Sequence, residues 1–329
     1  MNMTRHACTI GLTALLALGA CTQSAMAPRE SAVSPAPRPA GLRPPAPPPA
    51  PEAAAPTGPS ANSRALAAYY ARVQADLLAR GLMRTDGGGP DTQFTDTMLV
   101  RNFEAIALRE EYARGEGLVP SEGEDSVIKK WVGPVRIAPE FGASVPPDRR
   151  VSDRNDLIVY ARRLAAITGH PISVSDRDPN FHVLFVGEDD RRDIVPRIRA
   201  LVPDASARTL QLFDDLPRSI HCLVIAFSDR PGSYEYANAI AVIRAEHPDL
   251  LRQSCIHEEI AQGLGLANDS PRARPSIFND DDEFALLTDH DAMLLEILYD
   301  PALRPGMTPE QALPIVRRRA TELVEAGGT

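Results

Sequence analysis

The sequence has no excess of positive charge. Its 329 residues include 35 Lys and Arg against 44 Asp and Glu, which gives a formal net charge of −9 at pH 7. Because a net acidic chain without a basic block is a poor match for a phosphate backbone, we expect no nucleic-acid partner. The sequence also has no GxSxG elbow, no P-loop, no dinucleotide-binding fingerprint and no internal repeat. It therefore does not indicate the enzyme classes that those motifs mark.

A long apolar segment is missing as well. The run over residues 10–20, which follows the positive Arg5, is too short to span a bilayer and is typical of a secretory signal peptide. It ends in the sequence LGAC at 18–21, which resembles the lipobox of bacterial lipoproteins. In that family the cysteine, here Cys21, is lipidated and becomes the mature N-terminus. The alternative is an ordinary signal peptide with a chance cysteine.

The lipobox resemblance implies a place in the cell. It predicts a signal peptide over residues 1–20 and a protein that faces the periplasm, with the membrane as its partner through the lipid on Cys21. Position 22 is Thr, not the Asp that marks inner-membrane retention, which favours the outer membrane. Several lipid chains, each buried CH₂ contributing about 0.8 kcal/mol, are sufficient for stable anchoring.

Proline is concentrated in one segment. Twelve of the 31 prolines lie between Pro28 and Pro59. Such a segment cannot form a packed core and favours extended polyproline II, so residues 21–60 are predicted to form the lipid anchor and a semi-rigid tether. At about 3.1 Å per residue, this tether would hold a folded domain on the order of 100 Å from the membrane.

Cysteine is scarce. Of the four cysteines, Cys8 lies in the signal peptide and Cys21 is the lipidation site that the lipobox implies. Cys222 and Cys255 remain, an even pair in an oxidising compartment, which predicts a disulfide between them. Two unpaired buried thiols are the alternative.

Hydrophobic periodicity divides the rest of the chain into two segments. Apolar residues at three-to-four spacing predict helices in 63–82 and 95–115, within an N-terminal helical segment over 61–125. Strands interleaved with helices, followed by a helical C-terminus, then indicate a mixed α/β (α+β) domain over 126–329. The predicted strands cover 131–138, 171–175, 181–186, 219–227 and 237–244. The predicted helices cover 153–169, 189–202 and 249–266, and Ser152 or Asp153 is expected to cap the first of them. Two more helices are predicted to begin at Thr288-x-x-Asp291 and at Thr308-Pro309.

The sequence CIHEEIAQGLGLAND, residues 255–269, contains the residues that suggest a metal site or a catalytic site. His257-Glu258 suggests the zinc-peptidase motif HExxH, in which two histidines four residues apart on one helical face bind one ion. Position 261 is Ala, so this interpretation fails. Shifted by one residue, the segment resembles the HExxHxxGxxHD signature of metzincin metallopeptidases, position for position.

The metzincin resemblance assigns a role to each matching residue. It places Glu258, Gln262 and Asn268 at the three metal-ligand positions and Glu259 at the position of the general base. Gly265 falls where the chain leaving the helix needs a left-handed turn.

Two features downstream extend the resemblance. The sequence PSIFN at 275–279 resembles the Met-turn below the metal, with Phe278 in place of the methionine. The helix that contains Asp291 resembles the last helix of the catalytic domain. The implied fold over 126–302 is a metzincin-like (zincin-like) mixed sheet with an active-site helix.

The substitutions at the ligand positions change the expected chemistry. Zinc prefers imidazole and thiolate, whereas Glu258, Gln262 and Asn268 offer one carboxylate and two amides. We therefore assign no metal or other cofactor: zinc is disfavoured, and Ca²⁺ or Mg²⁺ remain open although such sites usually have more carboxylates. Alternatively, the three side chains hydrogen-bond one another in place of an ion.

The whole chain also resembles a proteobacterial family of lipoproteins described as a domain of unknown function. The sequences TGHPI at 168–172, NFHVLFV at 180–186 and LYDPALRPGM at 298–307 carry this match, together with the lipobox and the segment at 254–269. We therefore expect a non-catalytic binding or scaffold role in the cell envelope, with a peptide, peptidoglycan or envelope protein as partner. The rival hypotheses are a peptidase or other hydrolase that uses Glu259 as general base, and a purely structural lipoprotein.

Overall fold

A five-stranded mixed sheet forms the centre of the fold, in the order β2-β1-β3-β5-β4. The first four strands in this order are parallel, and β4 runs antiparallel to β5 at one edge. The computed structural model describes residues 58–327 apart from 111–120, 122, 204, 215, 231 and 280, so the expected signal peptide, Cys21 and most of the tether lie outside the described residues. The strands are β1 (Val135–Phe141), β2 (Ile172–Val174), β3 (Phe181–Val186), β4 (Cys222–Ser228) and β5 (Tyr236–Arg244).

Eight α-helices surround the sheet in the described part of the chain. They are α1 (Ala61–Ala79), α2 (Asp96–Ala107), α3 (Pro147–Thr168), α4 (Arg191–Leu201), α5 (Ala207–Asp214), α6 (Asp249–Gly263), α7 (Asp289–Leu298) and α8 (Pro309–Gly327), with short 3-10 helices at Pro90–Thr92 and Glu188–Asp190. The mixed α/β (α+β) fold and the helices ahead of the sheet are confirmed. None of these helices combines the length and apolar content needed to cross a membrane.

Several local predictions differ from the structure, and the helix predicted over 95–115 ends at Ala107. The first strand begins at Val135 rather than at residue 131, after the Gly133-Pro134 step. Helix α3 starts at Pro147, where a proline suits the first turn, so neither Ser152 nor Asp153 is its cap and both lie inside the helix. Helix α5 was not predicted because its eight residues are too few to show a helical period clearly.

Alternating side chains of the central strands build two cores. In β3, the odd-numbered residues such as Phe181 and Phe185 face the larger core, which includes residues of α2, α3, α6, α7 and α8. Leu184 of β3 and Ile240 of β5 point to the opposite face and pack with α4 and α5. The sheet is therefore covered on both faces, as parallel strands require.

Three contacts hold α6 against its neighbours. The predicted disulfide between Cys222 in β4 and Cys255 in α6 is confirmed. Arg252 donates to Asp153 at 3.0 Å in an ion pair that is 3% and 2% exposed, which joins α6 to α3. Gly263 faces the sheet so closely that a Cβ there would lie 2.5 Å from the Phe181 ring. The position of α6 relative to the sheet is thus fixed by the disulfide in its first half and by Gly263 at its end.

We expect the variant Cys222→Ala/Cys255→Ala to lose about 3–4 kcal/mol of unfolding free energy, because the bridge removes chain entropy from the unfolded state. The sequence separation of 33 residues sets this size. Urea denaturation with a chelator present measures it, and a reductant should destabilise the wild type while leaving the variant unchanged. A variant as stable as the wild type would show that the bridge adds nothing to stability.

Candidate functional site

The carboxyl end of α6 is capped by side chains from distant parts of the chain. The Trp131 indole Nε1 donates to the carbonyl oxygen of Gly263, and the Tyr299 hydroxyl donates to that of Leu264, each at 2.9 Å. Both aromatic side chains are buried. The last carbonyls of a helix lack partners within it, so these two bonds complete the end of α6.

Gly265 then turns the chain away from the helix. Its φ is 125°, a conformation that favours glycine, and a Cβ at this position would overlap the carbonyl oxygen of Lys129. The Leu298 side chain would lie 3.1 Å from the same atom. A glycine is required here both by the turn and by the close approach of the chain.

Two of the three ligand-equivalent side chains bond to other parts of the protein. The Gln262 amide nitrogen donates to Asp269 Oδ1 at 3.1 Å, and that of Asn268 donates to the carbonyl oxygen of Ala105 at 2.7 Å. The backbone N–H of Asn268 also donates to Ile106, which places this residue at the end of α2. The amide nitrogens of Gln262 and Asn268 therefore bond to Asp269 and Ala105 rather than to each other.

The glutamates lie together near the disulfide. One carboxylate oxygen of Glu258, one of Glu259 and the Cys222 sulfur all lie within 4.8 Å of one another. Glu259, at the general-base position, is only 4% exposed. The structure therefore brings Glu258 and Glu259 to the edge strand β4, whereas Gln262 and Asn268 bond toward residues 105–106 and 269.

The ligand-equivalent residues do not fit zinc. They provide no nitrogen or thiolate ligand, and the amides of Gln262 and Asn268 act as hydrogen-bond donors to protein oxygens. The sulfur beside Glu258 belongs to the disulfide, so it is not a thiolate. No step through a zinc ion follows from this arrangement.

Phe278, at the methionine-equivalent position, is fully buried and shares the larger core with Leu264 and Leu266. Its carbonyl oxygen accepts from the N–H of Ser270, and its own N–H donates to Ser276 Oγ. The turn thus packs directly beneath the segment that leaves α6.

A buried carboxylate holds this turn. Asp291, which is 0% exposed, accepts from Ser276 Oγ at 2.6 Å, from the N–H of Ile277 at 3.0 Å and from the N–H of Thr288 at 3.1 Å. Thr288 accepts in return from the N–H of Asp291, which confirms the predicted capping box. One side chain therefore starts α7 and fixes the Phe278 turn.

The histidines near the site have structural partners. His257 accepts from the N–H of Leu287 at 3.0 Å and stacks on Tyr160 at 3.9 Å between ring centroids. Burial lowers the pKa of His257 to about 3, with a smaller effect of the Arg163 charge, so the ring is neutral at pH 7. His290 is fully buried, 3.0 Å from the amide of Asn102.

A cavity of about 620 Å³ opens beside Asn268, between α2 and the segment after α6. Arg109 is paired with Glu104, whereas Arg101 and Arg272 form no ion pair within the part of the chain that the structure describes. No sequence pattern indicates this cavity, because its walls are far apart in the chain. The lining residues are Arg101, Asn102, Glu104, Ala105, Arg109, Gly123, Asn268, Asp269, Ser270, Pro271 and Arg272.

These features define a mixed α/β domain with a glycine-terminated helix on one face of its sheet. Residues 96–318 match the family described as Protein of unknown function (DUF2927). The match covers more than half of the chain, so the protein belongs to this family, and the expected domain of unknown function is confirmed. Comparisons with curated proteins and with solved structures found no match.

The substitution Gly265→Ala should lower the free energy of unfolding by at least about 2 kcal/mol, because the methyl group meets a backbone carbonyl and the positive φ disfavours Ala. Gly133→Ala is the matched control, since a Cβ there meets nothing within 4 Å. It should stay within about 0.5 kcal/mol of the wild type. Urea denaturation compares the two variants, and equal stabilities would refute the steric account of the turn.

Proposed function

We propose that the protein is a lipid-anchored, periplasm-facing member of the cell envelope whose metzincin-like domain binds an envelope partner without catalysis. The lipobox at 18–21 and the proline-rich tether support the location. The order of strand, helix, strands and α6, together with Gly265 and the Phe278 turn, supports the likeness to metzincins.

One observation carries the non-catalytic role. Gln262 and Asn268, at two of the three ligand-equivalent positions, use their amide nitrogens to bind Asp269 and Ala105. These bonds use the amide nitrogens and leave neutral amide oxygens as the only ligand atoms, which zinc disfavours, and no imidazole replaces these residues. Without a Lewis acid, activation of water at neutral pH loses its largest contribution.

The cavity beside Asn268 is the proposed binding site. Arg101 and Arg272 on its rim are exposed and form no ion pair among the described residues, so they are available to an anionic group. Arginine is suited to carboxylates because its planar guanidinium binds both oxygens. Peptidoglycan, whose peptide stems end in carboxylates, is the envelope partner that this chemistry favours.

A hydrolase remains the second candidate because of the neighbouring carboxylates. One carboxylate oxygen of Glu258 and one of Glu259 lie within 4.8 Å of each other, and pairs of neighbouring carboxylates serve as acid and base in several classes of hydrolase. In this alternative Glu259 is the general base, as the resemblance implies.

Co-sedimentation with purified peptidoglycan sacculi tests both candidates. We expect the full chain to sediment with the sacculi, and Arg101→Ala/Arg272→Ala to weaken binding about tenfold or more through the lost charge contacts. Arg304→Ala, an exposed arginine away from the cavity, is the matched control and should bind normally.

The same samples report on catalysis. The wild type and Glu259→Gln should release equal, background amounts of soluble fragments from the sacculi and from a peptide library. If the wild type releases soluble fragments, and Glu259→Gln abolishes this release without changing the thermal stability, the protein is a hydrolase and the binding proposal is wrong. Absence of sedimentation would contradict peptidoglycan as the partner.

The anchor has its own test. In a bacterial host, Cys21→Ser should move the protein from the membrane fraction to the soluble periplasmic fraction and should abolish incorporation of labelled palmitate, since the acyl chains supply the membrane affinity. Thr22→Ser is the control and should remain in the membrane. A Cys21→Ser protein that stays in the membrane fraction would contradict the lipid anchor.

A further inference from the structure

A cluster of sulfur and carboxylate groups lies where α6 meets the edge of the sheet. The Cys222 sulfur and one carboxylate oxygen each of Glu258 and Glu259 lie within 4.8 Å of one another, and the Cys255 sulfur is bonded to Cys222. Cys255 precedes the two glutamates by three and four residues, so these three side chains share one face of the helix. Three potential ligand atoms therefore converge from a strand and a helix, and the Cys255 sulfur is bonded to one of them.

The disulfide keeps this cluster from being a good metal site. A zinc ligand is a thiolate, and the sulfurs of an intact bridge carry no such charge. The two carboxylates that remain make half of a tetrahedral set, and a hard cation such as Ca²⁺ would need six or more oxygens. In the oxidised protein, the affinity of the cluster for a divalent cation is therefore low.

Reduction changes the set of donors. A dithiol reductant attacks one sulfur of the bridge, which forms a mixed disulfide and releases the other cysteine; its second thiol then forms the reductant's own disulfide and frees the remaining cysteine. Two electrons pass from the reductant to the protein, which gains two thiols. A divalent cation that binds both sulfurs displaces two protons to solvent.

We propose that Cys222, Cys255, Glu258 and Glu259 form a redox-controlled site for a borderline-soft divalent cation such as Zn²⁺, which opens when the bridge is reduced. Two thiolates and two carboxylates make a four-coordinate set of the kind that zinc accepts. With bonds of about 2.0–2.3 Å, tetrahedral ligand atoms stand roughly 3.3–3.8 Å apart. The donor atoms of Cys222, Glu258 and Glu259, which lie within 4.8 Å of one another, therefore need to approach by only about 1 Å, while the Cys255 sulfur separates from Cys222 once the bridge is reduced.

The proposal differs from the metzincin-like ligand set. It uses Glu258 but neither Gln262 nor Asn268, and it requires no histidine. It is also independent of the proposed envelope binding, because none of its four residues lines the cavity beside Asn268. Reduction of the bridge and binding of the cation are thermodynamically linked. The factor by which reduction raises the affinity for the cation equals the factor by which the bound cation shifts the equilibrium toward the reduced protein.

Cobalt binding to the full chain tests the site. The protein is purified in detergent, divided into an oxidised sample and a sample reduced with a phosphine, and titrated with Co²⁺, whose thiolate complexes absorb in the near ultraviolet. We expect one Co²⁺ per reduced chain, displaced by Zn²⁺, with an affinity at least about 100-fold above that of the oxidised sample. Equal affinity in the two samples would overturn the proposal.

The glutamates are tested separately from the thiols. Glu258→Gln and Glu259→Gln should each weaken Co²⁺ binding to the reduced chain about tenfold or more, because each removes a charged ligand. Glu325→Gln, an exposed residue of α8, is the matched control and should not change it. Unchanged Co²⁺ binding in both site variants would show that only the two thiols bind the ion, which contradicts the four-residue site.

A second variant covers the case in which reduction unfolds the domain. Cys222→His cannot form the bridge but keeps a zinc ligand at this position, next to the thiol of Cys255 and the two glutamates. Stoichiometric Zn²⁺ that raises its melting temperature, or restores a cooperative unfolding transition, supports the site. A variant whose unfolding Zn²⁺ does not alter overturns it.

Discussion

The carboxyl end of α6 packs against the segment before the sheet so closely that glycine alone fits between them, and the arrangement of the site depends on this contact. Gly265 lies against the carbonyl group of Lys129, and the next residues of that segment, Lys130 and Trp131, donate hydrogen bonds to the ends of α7 and α6. Because the chain turns here, Asn268 reaches the end of α2, where it bonds to Ala105. A steric requirement at one residue thus determines which elements surround the site.

The polar residues in and after the second half of α6 have two different kinds of surroundings. Toward the end of the helix, Gln262 and the nearby Asn268 use their amides to hold the surrounding chain, as structural residues do. Toward the edge strand, Glu258 and Glu259 lie beside a disulfide, a combination of carboxylate and sulfur that stays inactive toward metals while the bridge is intact. We propose that Gln262 and Asn268 support a binding cavity and that Glu258 and Glu259, independently of it, belong to a site that responds to the redox state.

Much of the fold follows from local sequence patterns, whereas the partners of individual polar residues do not. Strand β3 matches its apolar run residue for residue, and the capping box of α7 was visible as Thr288-x-x-Asp291, because both depend on neighbours in the chain. The disulfide followed from the cysteine count. Asp153 was misassigned as a cap because its partner Arg252 is far along the chain, and the cavity beside Asn268 is likewise assembled from α2 and a distant loop. Periodicity and spacing carry no information about such long-range pairs.

The central claim is that Glu258, Gln262 and Asn268 hold no catalytic metal. Elemental analysis of the full chain, purified without chelator and with the Cys222–Cys255 bridge intact, tests it most directly. The account predicts that zinc, calcium and magnesium are all present well below one ion per chain. One zinc ion per oxidised chain, lost together with a hydrolytic activity on treatment with a chelator, would contradict it.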